Sequence, residues 1–128
     1  MSMNETELGR AIGQIAADVH KSMGGMGLTA AAYRDALTYA LTQRGLTVES
    51  RIVPAGTYPG VKLSRPARVD MIVEEKVIVE CKIETHAGDD AEALAHLRIT
   101  GLKLALIINF GADNIRSAVR RVTNFEQE

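Results

Sequence analysis

Hydrophobic residues recur at helical spacing over the first third of the chain. Residues 5–23 form one such stretch, whose predicted end lies at Gly24 and Gly25. A second helix is predicted from the N-cap Thr29 to Arg44, and Gly45 ends it. The apolar faces would hold Leu8, Ile12, Ile15, Val19 and Met23 in the first helix, and Tyr33, Ala36, Leu37, Ala40 and Leu41 in the second.

After Leu46 the pattern changes to short runs typical of β-strands. Turn-forming residues separate candidate strands at 47–53 and 61–63. Two further runs, 68–73 and 77–83, flank the charged triplet 74–76 and predict a β-hairpin. The turn-forming residues in this region are Gly56, Pro59, Gly60 and Pro66.

The last third predicts a helix, a buried strand and a helix. Asp89 and Asp90 are candidate caps of a helix that runs to Thr100 and ends at Gly101. The nearly continuous apolar stretch 102–110 predicts a buried strand. A final helix is expected over 113–123, with Ile115, Val119 and Val122 on one side.

These elements predict one α/β domain over residues 1–128, with one mixed sheet of the α+β kind covered by helices. The sheet should be mixed because a helical crossover usually returns the chain parallel to a strand of the same sheet. A length of 128 residues and a hydrophobic content of 46% suffice for one core. The sequence contains no transmembrane stretch and no signal peptide pattern, so we expect a cytoplasmic protein.

The net charge of -1 does not indicate nucleic-acid binding, which usually needs a basic face. Local basic clusters leave a basic patch open, although ordinary surface charge is the better interpretation of each cluster taken alone. The single cysteine, Cys81, lies in an apolar run and is interpreted as a buried structural thiol. The basic clusters are Lys62, Arg65 and Arg68, and Arg116, Arg120 and Arg121.

The candidate chemistry lies on the predicted hairpin. A turn centred on Glu75 places Val73 opposite Val77 and Asp70 opposite Glu80. Because successive side chains of a strand point to opposite sides, this register gives the hairpin two faces. The core face would hold Val69, Met71, Val73, Val77, Val79, Cys81 and Ile83, and the other face Arg68, Asp70, Ile72, Ile78, Glu80, Lys82 and Glu84.

Two carboxylates opposite each other, with Cβ atoms about 5 Å apart, need a positive charge between them. Arg68 and Lys82 could supply it as a structural salt-bridge network. A divalent cation such as Mg²⁺ is the alternative, because it binds carboxylate and carbonyl oxygens. In that case the cation would activate water, and Lys82 would orient the water or stabilise the developing negative charge.

The segments RVDMIVEEKVIVECK (68–82) and ITGLKLALIINF (99–110) resemble the GxxExxY proteins of the PD-(D/E)XK nuclease-like superfamily. The similarity extends from about Ile12 to Asn124. It implies a restriction-endonuclease-like αβββαβ core, here with an additional N-terminal helix and a C-terminal helix. It also implies that Asp70, Glu80 and the backbone carbonyl of Cys81 bind Mg²⁺ or Mn²⁺, and that Lys82 is the catalytic lysine.

The sequence departs from the family pattern at two positions. In GLTAAAY (27–33), Gly27 and Tyr33 match the pattern that names the family, but Ala30 occupies the glutamate position. The superfamily often has a glutamine in the helix after the lysine strand, and Glu92 occupies the matching position. Glu92 and His96 share a helix face, so they could supply a replacement catalytic carboxylate and a general base, or only surface support.

The remaining polar candidates have structural interpretations. His20 is expected to act as a charge near a helix C-terminus, and His86 to lie in an exposed loop. Tyr33 is expected to pack in the core with a hydrogen-bonded hydroxyl.

Three functions remain open. The first is a Mg²⁺- or Mn²⁺-dependent nuclease, with DNA the expected substrate. The second is a catalytically inactive nuclease-like fold that binds nucleic acid or protein. The third is a structural homo-oligomer, which would draw on the apolar strand 104–108 and the helix faces.

Overall fold

The computed structural model describes residues 3–23 and 27–125. Within these ranges no helix is both long and apolar enough to cross a membrane. The elements in chain order are α1 (Glu5–Met23), α2 (Ala30–Gln43), β1 (Val48–Val53), β2 (Gly56–Tyr58), β3 (Val61–Leu63), β4 (Ala67–Val73), β5 (Val77–Lys82), α3 (Asp89–Thr100), β6 (Leu104–Asn109), a 3₁₀ turn (Ile115–Ala118) and β7 (Val119–Thr123).

Both predicted N-terminal helices are confirmed. The Thr29 hydroxyl accepts a hydrogen bond from the Ala32 N–H at 3.1 Å, so Thr29 caps α2 as expected. Gly45 follows this helix with a φ of 81°, a conformation that glycine adopts without strain. The predicted end of α1 at Gly24 and Gly25 lies outside the described residues.

The main sheet has five strands in the order β1-β4-β5-β6-β7. The strands β5 and β6 are parallel and the other neighbours are antiparallel, so the predicted mixed sheet is confirmed. Helix α3 makes the crossover between β5 and β6. The prediction of a single sheet is incomplete, because β2 and β3 pair with each other in a separate two-stranded sheet. The strand at 56–58 was missed because its glycine and its neighbours at 59–60 indicate only a turn.

The predicted hairpin register is correct at the turn and is lost before the acidic residues. Val73 pairs with Val77 and Ile72 with Ile78, but the β4–β5 ladder ends there. Asp70 is therefore not directly opposite Glu80 in a ladder. On the other side of β4, Glu49 pairs with Ile72 and Arg51 with Val69, so three steps along β4 match two along β1. This extra residue is a β-bulge, which interrupts the alternation of faces.

Hydrophobic layers cover both faces of the sheet. Helices α1 and α2 pack against one face, where Met71, Val73, Val77 and Val79 are buried and Cys81 is partly buried. The second layer, under α3, contains Val69, Ile72, Ile78, Ala93, Leu97, Ala105 and Ile107.

Two assignments of the predicted core face are therefore wrong. Val69 packs with Ile72 in the α3 layer, because the bulge shifts the alternation. Ile83 is 44% exposed, because β5 ends at Lys82.

The predicted C-terminal helix at 113–123 is also wrong. Ile115–Ala118 forms a short 3₁₀ turn, and Val119–Thr123 forms the edge strand β7 against β6. Val119, Val122 and Thr123 are β-branched and favour a strand, and the exposed edge of β6 offers a ladder from Ile108 to Leu104. The hydrogen bonds between β6 and β7 therefore outweigh the weak helical spacing of the apolar residues in this segment.

Helix α3 has the predicted bounds but not the predicted cap. Its N-cap is Gly88, which has no side chain to make a capping hydrogen bond. The Asp89 carboxylate instead accepts a hydrogen bond from the His86 N–H at 2.8 Å, which orders the loop before the helix.

Candidate functional site

A pocket of about 310 Å³ lies where β4 and β5 separate, between α2 and α3. Because the β4–β5 ladder ends at Ile72 and Ile78, the later residues of β5 and the earlier residues of β4 can line this opening. It brings together Ala30 and Arg34 of α2, Arg68 and Asp70 of β4, Glu80, Cys81 and Lys82 of β5, and Glu92 and His96 of α3.

Asp70 lies in the β4 bulge and is held by two arginines. Its Oδ2 is 3.3 Å from Nη1 of Arg34, and its Oδ1 is 3.2 Å from Nε of Arg68. The Asp70 side chain is 46% exposed, so solvent can reach this carboxylate. Bulges often re-aim side chains next to functional sites, and here the bulge contains the predicted metal ligand.

Glu80 is the most enclosed acid of the pocket. Its side chain is 11% exposed, and Oε2 accepts a hydrogen bond from Nδ1 of His96 at 2.7 Å. Its other oxygen, Oε1, is buried and has no hydrogen-bond partner among the described residues. The hydrogen bond with Glu80 raises the pKa of His96 above its usual value, although burial opposes this.

Lys82 contacts two carboxylates of α3. Its Nζ is 3.3 Å from Oε1 of Glu92 and 3.8 Å from Oδ1 of Asp89. Burial lowers the pKa of Lys82, but the nearby carboxylates of Glu92, Glu80 and Asp89 together outweigh burial and raise it. The side chain is thus an ammonium ion, and Glu92 is its partner rather than a free carboxylate.

Cys81 combines a partly buried thiol with a backbone position at the pocket. Burial raises the pKa of its thiol to about 12, and its Sγ lies 3.9 Å from Sδ of Met71. A thiol with such a pKa is a poor nucleophile at neutral pH, which agrees with the predicted structural role of this side chain. Only the backbone carbonyl of Cys81 stays a candidate ligand.

The expectation for Tyr33 is confirmed. Tyr33 is 2% exposed, stacks on Phe110 with ring centroids 4.9 Å apart, and donates its hydroxyl to the Met23 carbonyl at 3.0 Å.

The other two histidines lie away from the pocket lining. The Nε2 atom of His20 is 2.8 Å from the Ala112 carbonyl oxygen, so this residue has a specific partner in addition to its position in the last turn of α1. His86 is exposed, as expected for a loop residue, and its Nε2 is 3.5 Å from Oε1 of Glu84.

The donors of the pocket fit a divalent cation by their chemistry. In residues 3–23 and 27–125, no three His, Cys, Asp or Glu side chains are arranged together as metal ligands. The buried Oε1 atom of Glu80 nevertheless lacks a partner within these same ranges, and a buried carboxylate oxygen is costly to leave unpaired. Together with Asp70, it supplies the hard oxygen donors that Mg²⁺ and Mn²⁺ accept.

Fold and pocket together define a nuclease-like class: a mixed sheet with carboxylates and a lysine where two central strands separate. The chain belongs to the PD-(D/E)XK nuclease superfamily, whose family model matches residues 6–122. Neither the curated proteins nor the solved structures gave a match to this chain.

The candidate site residues of the sequence analysis lie together in the structure, and one charged residue of the pocket was not among them. Asp70, Glu80, Cys81, Lys82, Glu92 and His96 all line the same pocket. Arg34 was not among the candidates, although it follows Ala30 by one helical turn and therefore shares its face. That spacing was the available signal, because it places a positive charge beside the position where the family pattern has an acid.

Proposed function

We propose that this protein is a Mg²⁺- or Mn²⁺-dependent nuclease of the GxxExxY kind that hydrolyses phosphodiester bonds, with DNA as the substrate. Membership of the nuclease superfamily supports the reaction class. The observation that carries the proposal is the buried Oε1 atom of Glu80, which has no hydrogen-bond partner among residues 3–23 and 27–125, in a residue that lines one pocket with Asp70 and Lys82. The exposed basic residues Lys62 and Arg65 supply positive charge for a nucleic-acid backbone.

In this proposal the cation is held by Asp70, Glu80 and the backbone carbonyl of Cys81. When bound, such a cation lowers the pKa of a water ligand and neutralises charge on a phosphoryl oxygen. The ligand set consists of oxygen atoms, which suits Mg²⁺ and Mn²⁺ better than soft metals. The thiol of Cys81 takes no part.

Lys82 contributes positive charge in the proposed reaction. Its ion pair with Glu92 at 3.3 Å keeps an ammonium group at the edge of the pocket. An ammonium donates hydrogen bonds and cannot accept a proton, so Lys82 stabilises negative charge that develops on the phosphate. Glu92 orients this lysine, which accounts for a carboxylate at the position where the superfamily often has a glutamine.

A second candidate is a nuclease-like module without turnover. Ala30 at the glutamate position removes one acid, and Asp70 is already neutralised by Arg34 and Arg68. A protein of this kind would bind nucleic acid through phosphate contacts with no requirement for a metal, and its affinity would fall as salt is raised.

Metal binding and cleavage decide between the two candidates. Calorimetric titration of the full chain with Mn²⁺ is expected to show binding that Asp70→Asn abolishes and Asp18→Asn preserves. Asp18 is a suitable control because it forms an ion pair of similar length with Arg44, at 3.2 Å, and is not part of the pocket lining. Lys82→Ala should keep Mn²⁺ binding and lose cleavage of DNA.

Three results together would favour the binding module over the nuclease. Wild-type protein that does not bind Mn²⁺, cleaves neither DNA nor RNA in its presence, and binds DNA in a salt-sensitive way would replace the nuclease with the binding module.

A further inference from the structure

The contact between His96 and Glu80 joins α3 to β5 inside the pocket. The Nδ1–H of His96 donates to Oε2 of Glu80 over 2.7 Å, and the two side chains are only 19% and 11% exposed. A hydrogen bond to a carboxylate in so enclosed a place is worth more than one at the surface.

Helix packing fixes the position of this donor. Ala93 and Leu97, on either side of His96 in α3, are both fully buried against the sheet. The Thr100 hydroxyl donates to the His96 carbonyl at 2.7 Å. The imidazole therefore projects from a helix that cannot shift without opening the α3 layer.

The two oxygens of Glu80 have different roles because of this contact. Oε2 is engaged by His96, whereas the buried Oε1 is without a hydrogen-bond partner in the described part of the chain. A glutamate has three side-chain torsions, and a single fixed donor to one oxygen restricts where the other oxygen can lie. The contact thus leaves Oε1 as the Glu80 oxygen that no hydrogen bond engages in the described part of the chain.

We propose that His96 is a positioning residue, whose Nδ1–H holds Oε2 of Glu80 so that Oε1 is presented to a divalent cation. This inference rests on the proposed function, since it assigns Glu80 to the metal. It also replaces the sequence-based interpretation of His96 as a general base, because His96 acts through Glu80 and not on water. Hydrogen-bond partners of metal ligands commonly set ligand orientation and affinity.

Three substitutions separate the hydrogen bond from the bulk of the side chain. His96→Asn keeps an N–H near the place of Nδ1, whereas His96→Gln carries its amide one bond further out. His96→Leu fills similar space and removes the donor. The Mn²⁺ dissociation constant of each full-length variant is measured by calorimetry, with thermal unfolding as the check on the fold.

We expect His96→Leu to weaken Mn²⁺ binding by about 10- to 100-fold, the usual effect of losing such a partner, and His96→Asn to stay near wild type. His96→Gln should fall between them. If His96→Leu proves too unstable to measure, the comparison of His96→Asn with His96→Gln carries the test. Equal affinity in these two variants, or wild-type affinity in folded His96→Leu, would overturn the role of His96 while leaving the metal site in place.

A second measurement needs no metal. Long-range ¹H–¹⁵N spectra of the metal-free protein are expected to show Nδ1 of His96 protonated, and a proton on Nε2 alone would overturn the proposal. Failure of the proposed function is a different result, since wild type would then bind no Mn²⁺ and the inference would fall with it.

Discussion

Arg34 reaches across from α2 to Asp70 of β4, with its Nη1 3.3 Å from Oδ2 of the carboxylate. Arg68 contacts the other oxygen of the same carboxylate at 3.2 Å. Two guanidinium groups therefore form ion pairs with the carboxylate that we propose as a metal ligand. Any cation that binds Asp70 must compete with them.

Removal of Arg34 should strengthen metal binding. Arg34→Gln takes one competing positive charge from a partly exposed site, so Mn²⁺ affinity is expected to rise by up to about fivefold, equivalent to about 1 kcal/mol. Calorimetry measures this change. Arg44→Gln is the matched control, because Arg44 lies at the other end of α2 and pairs with Asp18. Weaker Mn²⁺ binding by Arg34→Gln would contradict the competition.

Gly111 should not tolerate a side chain. A Cβ atom there would lie 1.9 Å from the carbonyl oxygen of Ile83, which is a backbone atom and cannot turn aside. We expect Gly111→Ala to destabilise the protein by at least about 2 kcal/mol in urea unfolding. Gly13→Ala is the control, since apart from the adjoining residues and backbone of its own helix no atom of the described residues lies within 4 Å of the added Cβ. Gly13 is inside α1, where alanine should stabilise by about 0.5–1 kcal/mol. Equal stabilities of the two variants would refute this prediction.

The hairpin turn contains removable backbone strain at Glu75. Glu74 and Glu75 have φ values of 53° and 57°, and the Lys76 N–H donates to the Val73 carbonyl at 3.0 Å. Glycine adopts such φ values without the cost that a side chain brings, so Glu75→Gly should stabilise the protein by about 0.5–1 kcal/mol. Glu75→Ala keeps the strain and should not stabilise. A melting temperature of Glu75→Gly at or below that of Glu75→Ala would count against the strain.

Glu74 should make stability depend on pH. The backbone N–H and the hydroxyl of Thr47 both donate to its carboxylate, at 2.7 Å each, and lower its pKa below the ordinary value of 4.5. The ionised form is thus favoured by folding, so this stabilisation is present above about pH 4.5 and is lost as pH falls through the lowered pKa.

Glu74→Gln is the variant that tests this linkage. It should lower stability at pH 7, and the difference from wild type should shrink at pH 3, as measured by urea unfolding at both values. Glu75→Gln removes the same charge one residue further on and should not show this pattern. A difference between Glu74→Gln and wild type that is independent of pH would exclude the linkage.

The sequence predicts local elements well where one pattern dominates. The capping residue Thr29 and the glycine after α2 were identified correctly, because their physics acts within a few residues. The same holds for the register of Val73 with Val77, which the charged turn determines. Glu80, Cys81 and Lys82 were found because they follow each other on β5, and Glu92 and His96 because they share one face of α3.

Features that depend on distant partners could not be predicted in this way. The spacing of Val119 and Val122 fits a helix or a strand, and only the free edge of β6 selects the strand. The extra residue of β4 is visible only against β1, so the alternation alone misplaced Val69 and set Asp70 opposite Glu80. Arg34 belongs to the site through tertiary packing of α2.

The pocket draws its side chains from both layers that cover the sheet. Arg34 comes from α2 on one face, His96 from α3 on the other, and Asp70 and Glu80 from the strands between them. Local opening of α3 would take away the hydrogen bond that His96 makes with Glu80, so the proposed cation site depends on the folded domain. Occupancy and global unfolding are therefore thermodynamically linked: a ligand present at 100 times its Kd would raise the unfolding free energy of the whole domain by about 2.7 kcal/mol.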